Sequence, residues 1–164
     1  MGNEASSLSA DGVHEPFKIS RVPWQEFLHG ERFGMRYQHL STFGGGTQIS
    51  VSLEVLPPGR QANPAHYHLL EEEHVFMLEG RLTLRLGEKT YHLEPGHYVC
   101  FPAGQKLGHA LVNETDTDCR YLVLGNPHPH DVAVHTETGR VSVKLTGEGY
   151  AQSARMGYWD GVAT

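Results

Sequence analysis

Residues 48–56 read Gln-Ile-Ser-Val-Ser-Leu-Glu-Val-Leu, an alternation that sets Ile49, Val51, Leu53 and Val55 on one face. A repeat of two residues is that of a β-strand, whose side chains point alternately to opposite faces. Pro57-Pro58-Gly59 follows with turn chemistry and ends the strand. Working outward, residues 74–79 form a short apolar run with Val75 and Met77 on one face and Phe76 and Leu78 on the other. A strand apolar on both faces is covered on both sides. Residues 81–86 alternate again through Leu82, Leu84 and Leu86, and Gly87-Glu88 permits a tight hairpin into residues 89–93. Strands are also predicted over 98–101, 108–113, 120–125, 131–134 and 141–145, separated by Gly and Pro. The one helix candidate is residues 23–28. Short strands at this spacing predict an all-β antiparallel barrel or jelly roll with a short N-terminal helical turn and irregular tails.

The chain has 164 residues, 38% of them hydrophobic and 20% charged, which suits one domain with a real core. Thirteen Lys and Arg against nineteen Asp and Glu give a formal net charge of −6 with no basic cluster, so nucleic acid is not an expected partner. No apolar run approaches the ~20 residues that span a bilayer, so no membrane role is expected. Two cysteines, Cys100 and Cys119, do not make a disulfide framework. Residues 1–20 read as a flexible leader, 21–146 as the barrel domain, and 147–164 as a tail that packs on the body or on a partner. Met1-Gly2-Asn3-Glu4-Ala5-Ser6 matches an N-myristoylation pattern, but no polybasic patch follows, and a chance match is the simpler reading. Without a secretory signal, the cytoplasm is the default location.

Twelve histidines are the outlier. His66-Tyr67-His68 on a strand would point both imidazoles to one side. At this histidine frequency about one such pair arises by chance, and His128-Pro129-His130, read as a surface loop, is a second. The surroundings single out the first. Glu73 follows His68 by five positions and Gly80 follows Glu73 by seven. Downstream stand Gly96, Pro102, Gly104, His109 and Asn113.

In this order, these residues resemble the two signature motifs of the cupin superfamily. The first, G-x5-H-x-H-x(3–4)-E-x6-G, runs from Gly59 to Gly80 with one extra residue before His66. The second, G-x5-P-x-G-x2-H-x3-N, runs from Gly96 to Asn113 with two extra residues before His109. Leu56-Pro57-Pro58-Gly59, the Glu72–Gly80 stretch, Thr138-Gly139-Arg140-Val141 and Tyr158-Trp159-Asp160-Gly161 are similar to a group of small single-domain bacterial cupins, some of which carry a sugar-phosphate isomerase label. The resemblance implies a double-stranded β-helix whose His66, His68, Glu73 and His109 bind one divalent ion. Three imidazoles and a carboxylate suit Fe, Mn, Ni, Zn, Co or Cu over Ca or Mg. Tetrahedral zinc held by all four would be coordinatively full, so catalysis needs a five- or six-coordinate ion.

Other residues have plainer roles. Glu72 competes with Glu73 for the ligand position, but Glu73 fits the spacing to Gly80 and shares parity with Val75 and Met77. Glu72 and His74 then belong to the outer face. Tyr98 and Phe101 are expected in the core, Cys100 as a buried small hydrophobe, and Asn113 in backbone hydrogen bonds. Arg60 and Lys106 flank the motif loops and could steer an anionic substrate. Tyr98, His97 and Glu54 are candidates for a general base; no other cofactor is implied. Three functions follow: a metalloenzyme performing isomerase, epimerase or lyase chemistry on a sugar-phosphate-like or oxo-acid substrate, an iron-dependent dioxygenase, or a non-catalytic metal-dependent binding or sensing module. A homodimer is expected from the two-sided apolar strand and the aromatic tail.

Overall fold

A computed structural model describes residues 6–162. The acylation-like pattern that begins at Met1 lies, apart from Ser6, outside the described residues. The strands are β1 (Gln25–His29), β2 (Phe33–His39), β3 (Ser50–Leu56), β4 (His66–His68), β5 (Glu73–Glu79), β6 (Leu82–Leu86), β7 (Lys89–Leu93), β8 (Tyr98–Phe101), β9 (His109–Val112), β10 (Cys119–Gly125), β11 (Val132–His135), β12 (Arg140–Val143) and β13 (Glu148–Ala151). One sheet has the order β1-β2-β3-β10-β5-β8 and the other β13-β12-β11-β4-β9-β6-β7. All their ladders are antiparallel, as the turn-rich sequence predicts.

Between the sheets lies one apolar interior. Leu56, Val75, Met77 and Tyr121 come from the first sheet, and Leu82, Leu84, Leu93 and Leu111 from the second. The apolar face of β3 is not part of it. Glu54 pairs across the ladder with Tyr121, and Tyr121 with Met77, so the polar face of β3 is the one that looks inward. Leu53 and Val55 are buried on the opposite face. There Gln38, the ladder partner of Leu53, donates to the carbonyls of Ile19 and Val22, so the N-terminal segment covers this side. The sheet is thus dressed on both faces at β3, and a polar interior position becomes available for chemistry.

The helix expected at residues 23–28 is corrected. A 3₁₀ turn occupies Ile19–Arg21, and Gln25–His29 is strand β1, zipped onto β2 through a hairpin whose Gly30 has φ 58°. Cross-strand pairing outweighs a weak local helical preference. The single α-helical turn among the described residues is Leu40–Phe43. Within the leader, Ser7 is buried and donates its backbone N–H to the Phe43 carbonyl, and the Phe17 and Phe43 rings lie 4.7 Å apart. At the other end β13 pairs with β12, and Tyr158 and Trp159 beyond it are exposed. No helix among the described residues is long and apolar enough to cross a membrane.

Candidate metal centre

His66 of β4 sits directly opposite His109 of β9, and β4 is flanked on its other side by β11. Glu73 opens β5, paired with Phe101 and Gly125. These registers bring His66, His68 and Glu73, close in sequence, to one interior spot with the distant His109. Ring centroids are 4.9 Å apart for His66 and His68 and 4.8 Å for His66 and His109. The Glu73 carboxylate lies 3.8 Å from Nε2 of His68 and 3.5 Å from Nε2 of His109. One donor atom each from His66, His68 and Glu73 falls within 4.8 Å of the others. The longer loop before His109 does not lift it out: its side chain is buried and its ring stacks on Phe101 with centroids 3.8 Å apart.

Whether these residues fit an ion is answered by their other hydrogen bonds. Nδ1 of His66 lies 2.8 Å from the Pro64 carbonyl oxygen, and Nδ1 of His68 lies 2.6 Å from an Asp131 carboxylate oxygen. Acceptors of this kind hold the proton on Nδ1 and leave the Nε2 lone pair for a metal, which is how ligating histidines are usually fixed. Nε2 of His109 is buried and has no hydrogen-bond partner among the described residues. Such an orphan costs about 1–3 kcal/mol, a cost that coordination would remove. Burial, and then the His109 charge, pushes His66 down to about 4, so it is neutral at pH 7, the ligating form. Burial pushes the Glu73 carboxyl up, but the imidazoles of His109, His66 and His68 outweigh this and hold it below the ordinary value. The donor set therefore fits one divalent transition ion.

Asp131 was not singled out by the sequence. It stands 63 positions from His68, with no spacing rule to link them. Its other oxygen accepts from the backbone N–H groups of Leu70 and Glu71, which fixes the carboxylate.

Of the base candidates only Glu54 reaches the site. It shares a cavity of about 30 Å³ with His66, Glu73 and His109. It also lines an adjoining pocket of about 280 Å³ with Phe27, Met35, Tyr37, His39 and Asn63. Burial, and then the Glu73 charge, pushes the Glu54 carboxyl up to about 8. Tyr121, fully buried opposite it, has a hydroxyl with no hydrogen-bond partner among the described residues, and burial and the Glu54 carboxyl push that phenol well up. Tyr98 is corrected: it is 59% exposed on the outer face of β8, where its hydroxyl meets Nδ1 of His74. His97 is corrected too: it is exposed, and its Nδ1 accepts from the Glu94 backbone N–H in the turn before β8. Cys100 is half-buried on that outer face and not in the core. Arg60 is engaged with the Gly30 and Phe33 carbonyls. Asn113 behaves as expected, fully buried and donating to the Leu56 and Thr117 carbonyls.

Fold and cluster together define an antiparallel β-barrel protein with an interior imidazole–carboxylate site. The Cupin domain family model matches residues 52–125, from β3 through β10, and this stretch of the chain is a cupin domain. It is similar to a sugar phosphate isomerase of the cupin superfamily from Silicibacter pomeroyi, with 25% identity, a TM-score of 0.78, and coverage of 89% of this chain and 98% of that one. A proposed sugar phosphate isomerase from Acidithiobacillus ferrooxidans, 23% identical over 92% of this chain and 94% of its own with a TM-score of 0.78, shares the fold. Quercetin 2,3-dioxygenase of Bacillus subtilis is 30% identical over 140 residues, which are 77% of this chain but 40% of that protein. The chain thus matches less than half the length of that relative.

Proposed function

We propose that this chain is a metal-dependent cupin enzyme that isomerises, epimerises or eliminates on a small polar substrate, with a sugar phosphate or oxo-acid as the substrate class. His66, His68, Glu73 and His109 would hold one divalent transition ion. When bound, that ion supplies Lewis acidity toward a substrate carbonyl or hydroxyl. Asp131 and the Pro64 carbonyl orient the imidazoles of His68 and His66. Glu54 would exchange a proton with a substrate oxygen or carbon held in the pocket shared with Tyr37 and Asn63.

The observation that carries this reading is the juxtaposition of Glu54, pushed up to about 8, with the Glu73 and His109 cavity. A carboxyl poised near the working pH is what proton transfer requires. The similarity to a sugar phosphate isomerase over nearly the whole chain supports the substrate class. The similarity to a quercetin dioxygenase favours a second reading, oxygen insertion with iron. The test is to incubate metal-loaded protein with aldose and ketose phosphates and with oxo-acids while following oxygen. Substrate interconversion without oxygen uptake, lost in Glu54→Gln, supports the first reading. Oxygen uptake with iron supports the second, and ligand binding without turnover indicates a binding module. The exposed Met156, Tyr158 and Trp159 of the tail support a homodimer in which a second copy covers them; a monomer by light scattering would contradict that.

A further inference from the structure

We propose that Glu72, His74 and Cys100 form a second metal site, for a thiophilic divalent ion such as zinc, on the outer face of the sheet and back to back with the barrel cluster. Strand alternation sets up the arrangement. Glu73 points inward with Val75 and Met77, so Glu72 and His74 point outward. Cys100 of β8 is the direct ladder partner of His74 of β5, which puts the thiol and the imidazole side by side on that face. One donor atom from each of the three lies within 4.8 Å of the other two, and Nε2 of His74 is 3.0 Å from the Glu72 carboxylate.

The histidine is also set for coordination. Its Nδ1 lies 2.5 Å from the Tyr98 hydroxyl oxygen, and the two rings stack with centroids 5.8 Å apart. When that hydroxyl accepts from Nδ1–H, the ring is fixed and Nε2 is left for an ion that takes the place of its contact with Glu72. A thiolate, an imidazole and a carboxylate with water in the fourth position make a tetrahedral zinc set. Burial and the Glu72 charge push the Cys100 thiol up; coordination releases the thiol proton to solvent, and the cation offsets that cost by drawing the thiolate and the Glu72 carboxylate to one positive charge. The site does not depend on the barrel cluster, whose donors include no sulfur.

Cobalt(II) is the probe, because a thiolate ligand gives it a near-ultraviolet charge-transfer absorption that imidazoles and carboxylates do not. Cobalt is titrated into the full chain under reducing conditions. In the native protein the band is expected to reach the intensity of one thiolate-bound cobalt per chain within about two equivalents, because the barrel site takes the other. It is expected to persist in His68→Ala, in which the barrel site is impaired, and in Cys119→Ala. It should vanish in Cys100→Ser. Tyr98→Phe should keep the band and weaken cobalt binding about tenfold, the effect of losing a group that orients a ligand. Absence of the band in the native protein, its survival in Cys100→Ser, or its loss in His68→Ala would overturn the proposal.

Discussion

The Asp131 carboxylate lies 2.6 Å from Nδ1 of His68, across 63 positions of sequence, and accepts in the same place from the backbone of Leu70 and Glu71. Burial pushes its acidity down in strength, but the His68 hydrogen bond and the two backbone donors prevail and hold its pKa below the ordinary value. A carboxylate so fixed orients the imidazole behind the proposed ion.

Asp131→Asn keeps the backbone contacts but loses the charge behind His68. Metal affinity, measured by competition with a chelator, should fall about 10–100-fold. Affinity equal to that of the native protein would show that His68 is oriented by something else.

Glu54 gives a pH signature in the metal-free protein. Its pKa rises on folding from 4.5 to about 8. Below pH 4.5 both states carry the proton and nothing is lost. Between these values the unfolded chain releases the proton and the fold does not, so Glu54 destabilises increasingly as pH rises, by about 1.4 kcal/mol per pH unit at most. Glu54→Gln removes this penalty. Its stability relative to the native protein should therefore climb from pH 5 to pH 8 and then level off in denaturant titrations. A difference that stays flat across that range would refute the buried, proton-carrying state.

The two glycines that bound the first motif should respond differently to alanine. Gly80 has φ 79°, and a Cβ there would stand 2.8 Å from the Asp118 carbonyl oxygen and 3.1 Å from the Cys119 Cα. Gly59 has φ 71° with nothing within 4 Å of its Cβ position. Gly59→Ala carries only the left-handed backbone cost, about 1 kcal/mol. Gly80→Ala adds a clash with backbone and should lose at least about 2 kcal/mol more in chemical unfolding. Equal losses would mean that the neighbouring strand gives way.

Asn113 closes the second motif by satisfying the Leu56 and Thr117 carbonyls from a fully buried position. Asn113→Ala leaves those carbonyls without their donor and should destabilise the fold by about 1–3 kcal/mol. Metal stoichiometry should be unchanged in the folded fraction; an altered stoichiometry would place Asn113 in the site itself.

Much of this architecture was legible in the sequence because it rests on strict alternation and turn residues. His66 and His68 share a face for that reason, and the parity of Glu73 separated it from Glu72. What escaped reading is set by contacts between distant segments. Asp131 has no local mark of its link to His68. The apolar face of β3 was visible, but not that the N-terminal segment covers it, which turns Glu54 inward. Residues 23–28 looked helical because the pairing that makes Gln25–His29 a strand comes from β2. Tyr98 shares its short apolar strand with Phe101, yet alternation sends Tyr98 outward and Phe101 onto His109.

The central claim is that His66, His68, Glu73 and His109 grip one ion, and elemental analysis of anaerobically purified protein tests it most directly. The native chain should carry about one transition-metal ion at the barrel site, assayed in the Cys100→Ser background so that only that site is counted. His68→Ala should lose most of it, and His128→Ala, in the surface loop, should lose none. Metal content in His68→Ala equal to that of its parent would contradict the account.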